Sequence, residues 1–173
     1  MEEGGLRPNP GLLWPDTRFP IADIGPPSYN RLMVQSAVAY SANGKIIVGP
    51  VNRTTMGVGL EVDPRVYLPI VSDLALGIKH ALAMSAKVVE HPSQGEWKGF
   101  FKPFLDAAGV RSYAAFMKDA KRVSICIVDG QIKITPQRNL GSRQGFEPIS
   151  DAAVLIPLDD EQGAASTVLR FLT

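Results

Sequence analysis

With 173 residues, 45% of them apolar and 20% charged, the chain has the balance of an ordinary globular domain, long enough to bury a core without disulfide staples. Its formal charge is +1, and neither the first 60 residues, the next 60 nor the remainder departs from neutrality by more than one unit. That excludes the basic excess of a general nucleic-acid coat, so no direct nucleic-acid partner is expected. The longest apolar runs, such as residues 152–157, fall far short of the roughly 20 residues that cross a bilayer, so no membrane partner is expected either.

The acidic start Met1-Glu2-Glu3-Gly4-Gly5 lacks the basic, then apolar, pattern of a secretory signal. A lone Cys126 can form no internal disulfide, so the expected location is the cytoplasm. Residues 1–31 hold six of the fourteen prolines and read as a leader without regular structure. Trp14, Phe19 and Tyr29 supply apolar area to tack it down; a peptide-recognition arm is the alternative. Residues 32–173 read as a single α/β domain.

Two strands, 32–42 and 45–51, flank Asn43-Gly44, a pair suited to the positive φ angles of a type I′ hairpin turn. Counting outward pairs Ser41 with Ile46, Tyr40 with Ile47 and Ala39 with Val48, with apolar residues on both faces. Such strands are expected to be central and covered on both sides. After Asp63-Pro64, Ser72 is expected to cap a helix running to about Lys87, with Asp73 in its first turn. Leu74, Ile78, Ala81, Leu82 and Ser85 form its inward stripe.

The aromatic stretch from residue 96 to 108 is broken by Pro103, which predicts a short turn and then a short helix closed by Gly109. Ser112 is expected to cap a further helix, with Tyr113, Phe116, Met117 and Ala120 along one face. A second hairpin follows, 123–128 and 131–135 around Asp129-Gly130. Its register sets Ile127 against Ile132, Ile125 against Ile134 and Cys126 against Lys133. The isoleucines then share one face, and Ser124, Cys126, Gln131, Lys133 and Thr135 face solvent or a partner. Residues 136–146 read as a basic, Gly-punctuated loop. Residues 153–157 predict one more strand, and Asp159, with Gln162 three residues on, a capped C-terminal helix carrying Ala165, Val168, Leu169 and Leu172 inward. The expected fold is α/β in the α+β sense: a mainly antiparallel sheet of five or more strands with helices packed on it.

The inventory of reactive side chains is thin. His80, His91 and Cys126 are the soft metal ligands, and no spacing pairs them, so no metal or cofactor is expected. His91 reads as exposed in a loop. Gly141-Ser142-Arg143-Gln144-Gly145 has its serine off-centre for a nucleophile elbow, Gly57-Val58-Gly59 lacks a third glycine, and no phosphate-binding loop is present. No catalytic residue is assigned. Two charged clusters remain: Arg138 and Arg143 in the loop, suited to an anion or a partner carboxylate, and Asp159-Asp160-Glu161 at a helix N-terminus, which is equally suited to capping.

Arg111-Ser112-Tyr113 with Phe116, then Ile132-Lys133-Ile134-Thr135-Pro136, Arg138-Asn139 and Gly145-Phe146, resemble in order the immunity proteins of contact-dependent growth inhibition (CDI). Trp97 and Phe104 fit the same pattern, so the likeness spans about residues 95–150. The resemblance implies a cytoplasmic, non-enzymatic bacterial protein that binds and neutralises the C-terminal toxin domain of a cognate effector, commonly a nuclease. A basic toxin would draw contacts from Glu147, Asp151, Asp159, Asp160 and Glu161; an acidic one from Arg138 and Arg143. The near-neutral charge departs from a strongly acidic inhibitor and fits binding beside the toxin's active site. The alternatives are a small regulatory or ligand-binding domain using the 138–146 loop, and an enzyme assembled from scattered residues such as His80, Asp106 and Arg138.

Overall fold

The computed structural model describes residues 34–173; the leader expected over residues 1–31 lies outside them. Strands β1 (Ser36–Ala42) and β2 (Lys45–Thr54) pair antiparallel in the expected register, Ser41 with Ile46, Tyr40 with Ile47 and Ala39 with Val48. Asn43 and Gly44 take φ of 49° and 71°, the left-handed pair that a two-residue turn between twisted strands demands. Strand β2 outruns its expected end at residue 51. Its last residues pair with β3 (Gly59–Glu61) and, in parallel, with β5 (Val88–Val89), while its first residues pair with β4 (Arg65–Tyr67).

The second hairpin is longer than its sequence signal. Strands β6 (Lys121–Val128) and β7 (Gln131–Asn139) keep the expected pairs, Ile127 with Ile132, Ile125 with Ile134 and Cys126 with Lys133. Strand β7 then continues through Pro136 to Asn139, and β8 (Phe146–Pro148) returns against it. The loop expected over residues 136–146 therefore shrinks to residues 140–145. Pro136 is tolerated because its position is where β7's outer partner changes from β9 (Val154–Pro157), paired with residues 131–134, to β8, paired with 137–139.

Among the described residues, nine strands form one curled, mainly antiparallel sheet in the order β3-β2-β1-β6-β7-β8, with β4 and β5 on β2 and β9 on β7. Alternation along the central strands supplies a core on each face. On one face, Ala37, Ala39, Ile46, Val48, Ile125 and Ile134 pack against α1 (Val71–Met84) and α5 (Glu161–Leu172). On the other, Val38, Tyr40, Ile47 and Val51 pack against Phe104, Phe116 and Met117 of α3 (Lys102–Ala108) and α4 (Tyr113–Met117). A single turn, α2 (Trp97–Phe100), precedes α3.

Helix boundaries correct several expectations. Ser112 does cap α4, accepting from the Ala115 N–H at 3.2 Å, and Gly109 closes α3 at φ 74°. Ser72 caps nothing: α1 begins after extended Ile70, and Asp73 reaches back to accept from the Leu68 N–H at 2.7 Å. The helix stops at Met84, because Ser85 turns inward, donating to the Leu82 carbonyl at 2.7 Å and accepting from the Ser36 N–H at 2.9 Å. The cap of α5 is Asp160, not Asp159; its carboxylate accepts from the Gly163 N–H at 2.8 Å.

Close approach of α3 to the sheet depends on Gly49 in β2. A Cβ there would lie 2.8 Å from the Val62 carbonyl oxygen and 3.1 Å from the Phe104 ring. Gly49→Ala is expected to lower the unfolding free energy in urea by about 1–3 kcal/mol, whereas Gly99→Ala, which meets nothing within 4 Å, leaves it within about 1 kcal/mol of wild type.

Candidate functional site: a charged surface over a buried ion network

The strongest electrostatic feature is internal. Arg122 of β6 sits opposite Tyr40 of β1 and Gln137 of β7 in the strand registers, so three polar side chains leave the same face of the sheet. Glu61 enters from β3. The guanidinium donates to the Tyr40 hydroxyl at 2.9 Å, to Gln137 Oε1 and to Glu61 Oε1, while the Tyr40 hydroxyl donates to Glu61 Oε2 at 2.6 Å. Side-chain exposure is 3% for Arg122 and 13% for Glu61, so the guanidinium is buried and its counter-charge largely so. Aromatic rings close over it: Tyr40 meets Phe104, Phe116 and Phe146 edge-on at 5.3–5.8 Å, and the guanidinium lies 5.6 Å and 5.7 Å from the Tyr40 and Phe146 ring centres.

Burial opposes the charge on Arg122, but the Glu61 carboxylate and the Tyr40 hydroxyl together outweigh it and hold the guanidinium above its ordinary pKa. The Tyr40 phenol is pushed well above 10.0, by burial first, with Arg122 working against the shift and Glu61 adding to it. Gln137 Nε2 is buried without a partner among the described residues, a cost the network carries. Nothing in the sequence announced this cluster except spacing: Tyr40, Arg122 and Gln137 share a face once the two hairpins are set side by side, and that adjacency is tertiary.

The residues expected to meet a partner lie at the surface in two groups. Arg138 and Glu147 face each other across β7 and β8 and form an exposed ion pair at 3.6 Å. Arg143 sits in the 140–145 loop and Asp151 in the short turn Ser150–Ala152, both exposed. At the N-terminus of α5, Asp160 is engaged as the cap and Glu161 pairs with Lys79 of α1 at 2.8 Å. Among the described residues, no hydrogen bond or ion pair takes up Asp151, Asp159 or Arg143. Asn139, beside Arg138, is structural: its amide donates to the Met117 and Ala120 carbonyls at 2.8 Å, and its oxygen accepts from the Gly141 N–H.

The scattered set of His80, Asp106 and Arg138 is not assembled. His80 lines a cleft of about 280 Å³ with Asp63 and Arg65, Asp106 pairs with Lys102 at 2.6 Å, and Arg138 pairs with Glu147. His91 is half-buried rather than exposed, its Nδ1 3.3 Å from Thr54 Oγ1 and its ring against Trp97. Cys126 is half-buried on β6, and burial pushes its thiol up, away from the thiolate that nucleophilic chemistry requires. Among the described residues no group of three or more His, Cys, Asp or Glu could hold a metal, and no helix is long and apolar enough to cross a membrane.

A curled sheet closed on a buried ion network, with its remaining charge displayed at strand ends and a helix N-terminus, defines a small single-domain α+β protein. Residues 63–166 match the family model described as CDI immunity protein, and with well over half of the chain matched, the protein belongs to that family. A protein of unknown function from Neisseria meningitidis shares the fold with a TM-score of 0.61 at 15% identity, covering 84% of this chain and 97% of that one. A chain of the CdiA-CT/CdiI toxin and immunity complex from Yersinia pseudotuberculosis does so with 0.63 at 16%, covering 80% and 95%. No curated protein matches the sequence.

The network gives two expected outcomes. Arg122→Ala leaves Glu61 buried without its counter-charge and is expected to cost about 3–5 kcal/mol in urea unfolding; a loss below 1 kcal/mol contradicts this. Folded Tyr40 keeps its proton where the unfolded chain, with a pKa near 10, releases it. Stability is therefore full below about pH 10 and falls as pH rises beyond it. Tyr67 and Tyr113, also raised chiefly by burial, contribute in the same sense. Tyr40→Phe is expected to be less stable at pH 7 by about 1–3 kcal/mol and to lose less further stability between pH 9.5 and 11, followed by circular dichroism.

Proposed function

We propose that this protein binds the C-terminal toxin domain of a cognate CDI effector and neutralises it in the cytoplasm of the cell that makes both. The family match over residues 63–166 carries the reading, and the likeness in fold to a chain of a toxin and immunity complex supports it. The toxin domain is proposed to be a nuclease, whose substrate-binding surface must be cationic to hold phosphates. Contact then falls to Asp151 and Asp159, which have no intramolecular partner among the described residues, with Glu147, Asp160 and Glu161 beside them. Arg138 and Arg143 would meet acidic groups at the rim of the same interface.

Charged rim residues act mainly on association rate and its salt dependence. Co-expression with the toxin domain is expected to restore growth to cells that the toxin alone arrests; persistent toxicity with the protein folded and abundant refutes the reading. Asp151→Lys/Asp159→Lys is expected to slow association with the purified toxin domain by about tenfold or more at low salt, measured by stopped flow, with the difference shrinking at high salt.

A further inference from the structure

A second cleft, of about 400 Å³, lies between the end of β3, strand β5, the connection that follows it and α2. Its walls are apolar, formed by Leu60, Val89 and Phe100, and its rim carries Glu90, His91 and Glu96. We propose that this cleft receives an arginine side chain of the toxin domain, an assignment that rests on the functional reading above.

The chemistry is selective. Apolar walls suit the methylene stem of a long side chain, and two carboxylates at the rim suit a planar guanidinium better than a compact ammonium. Both carboxylates have capacity to spare. Glu90 is exposed, and no hydrogen bond or ion pair among the described residues takes it up. Glu96 uses Oε2 alone, accepting from the Ser93 N–H at 2.7 Å and the Ser93 hydroxyl at 2.6 Å. Those bonds hold its carboxyl below its ordinary pKa, so it stands charged with Oε1 available. Lys87 and Lys98 flank the segment in sequence but do not line the cleft.

The rim is also held in place before any partner arrives. Val89 is pinned by parallel pairing with Thr54, the His91 N–H donates to Thr55 Oγ1 at 3.3 Å, and the His91 ring packs against Trp97 at 5.5 Å. A preformed socket spares the ordering cost of binding, which is how a single anchored side chain becomes an affinity hot spot. The sequence conceals the cleft because Leu60 and Glu90 meet only through the pairing of β3 and β5 with the end of β2.

The test measures the dissociation constant between the full chain and an inactivated toxin domain. Glu90→Gln/Glu96→Gln removes both charges and keeps the Ser93 acceptor; it is expected to weaken binding by about 30-fold or more. Asp106→Asn/Asp129→Asn, equal in charge change and away from the cleft, is expected to bind within about twofold of wild type. Circular dichroism confirms that each variant is folded. Tight wild-type binding that the Glu90/Glu96 variant retains overturns the cleft assignment alone, as does an equal loss in the control variant. No binding by wild-type protein overturns the functional reading, and the assignment of the occupant falls with it.

Discussion

The fold closes on one guanidinium. Arg122 projects from β6, near the middle of the strand order, yet it bonds to Glu61 on β3 at one end and to Gln137 on β7, and lies against Phe146 of β8 at the other. A flat sheet could not bring those strands to one cation; a curled one does. The curl follows from the right-handed twist of the strands, and the ion network selects how far it goes. A charge buried to this degree is tolerated only when its counter-charge and hydrogen bonds are in place. Misregistering either hairpin by one residue would turn Tyr40 or Gln137 to the opposite face and leave Arg122 in an aromatic pocket without them. The network is thus a device for specifying one arrangement rather than a source of net stability.

The same constraint explains why the two cores differ. On the face under α1 and α5 the buried filling is aliphatic, with alanines of β1 set against branched residues of β2, β6 and β7. On the opposite face, aromatic rings from α3, α4 and β8 surround Tyr40 and Arg122. Aromatic edges and faces can solvate a cation and a phenol in ways aliphatic side chains cannot, so the rings of residues 101–116 belong where the polar cluster is. Short helices suffice there because Ser112, Gly109 and the Asn139 amide bonds fix their ends.

Local chemistry was legible wherever the signal was local. Asn43-Gly44 and Asp129-Gly130 fixed two hairpins and their registers, Ser112 announced α4, and the stripes of α1 and α5 pointed inward as their spacing required. Errors fell where a tertiary partner overrode a local cue. Pro136 and the glycines after it look like the start of a loop, but β8 and β9 meet β7 on either side of that proline and extend the strand. Ser72 looks like a cap, but Asp73 supplies the contact one residue on, and Asp160 rather than Asp159 serves α5. The buried network and the Glu90/Glu96 cleft were invisible for a related reason: each joins residues far apart in sequence whose types, taken singly, are ordinary. The charged surface residues were nameable because exposed charge needs no partner to be noticed, and one pair of them, Arg138 and Glu147, proves to be engaged with each other.

The chain belongs to the CDI immunity protein family, and its structure is a frame closed on an internal ion network with exposed charge at its periphery. We propose that the partner docks on this periphery and leaves the frame intact. Hydrogen exchange, measured on the protein alone and saturated with the toxin domain, tests it most directly. Slowed exchange is expected in residues 88–100 and around 146–161, with β1 and β6 already protected and unchanged by binding. Protection confined to other surfaces, or faster exchange in β1 and β6 on binding, would contradict it.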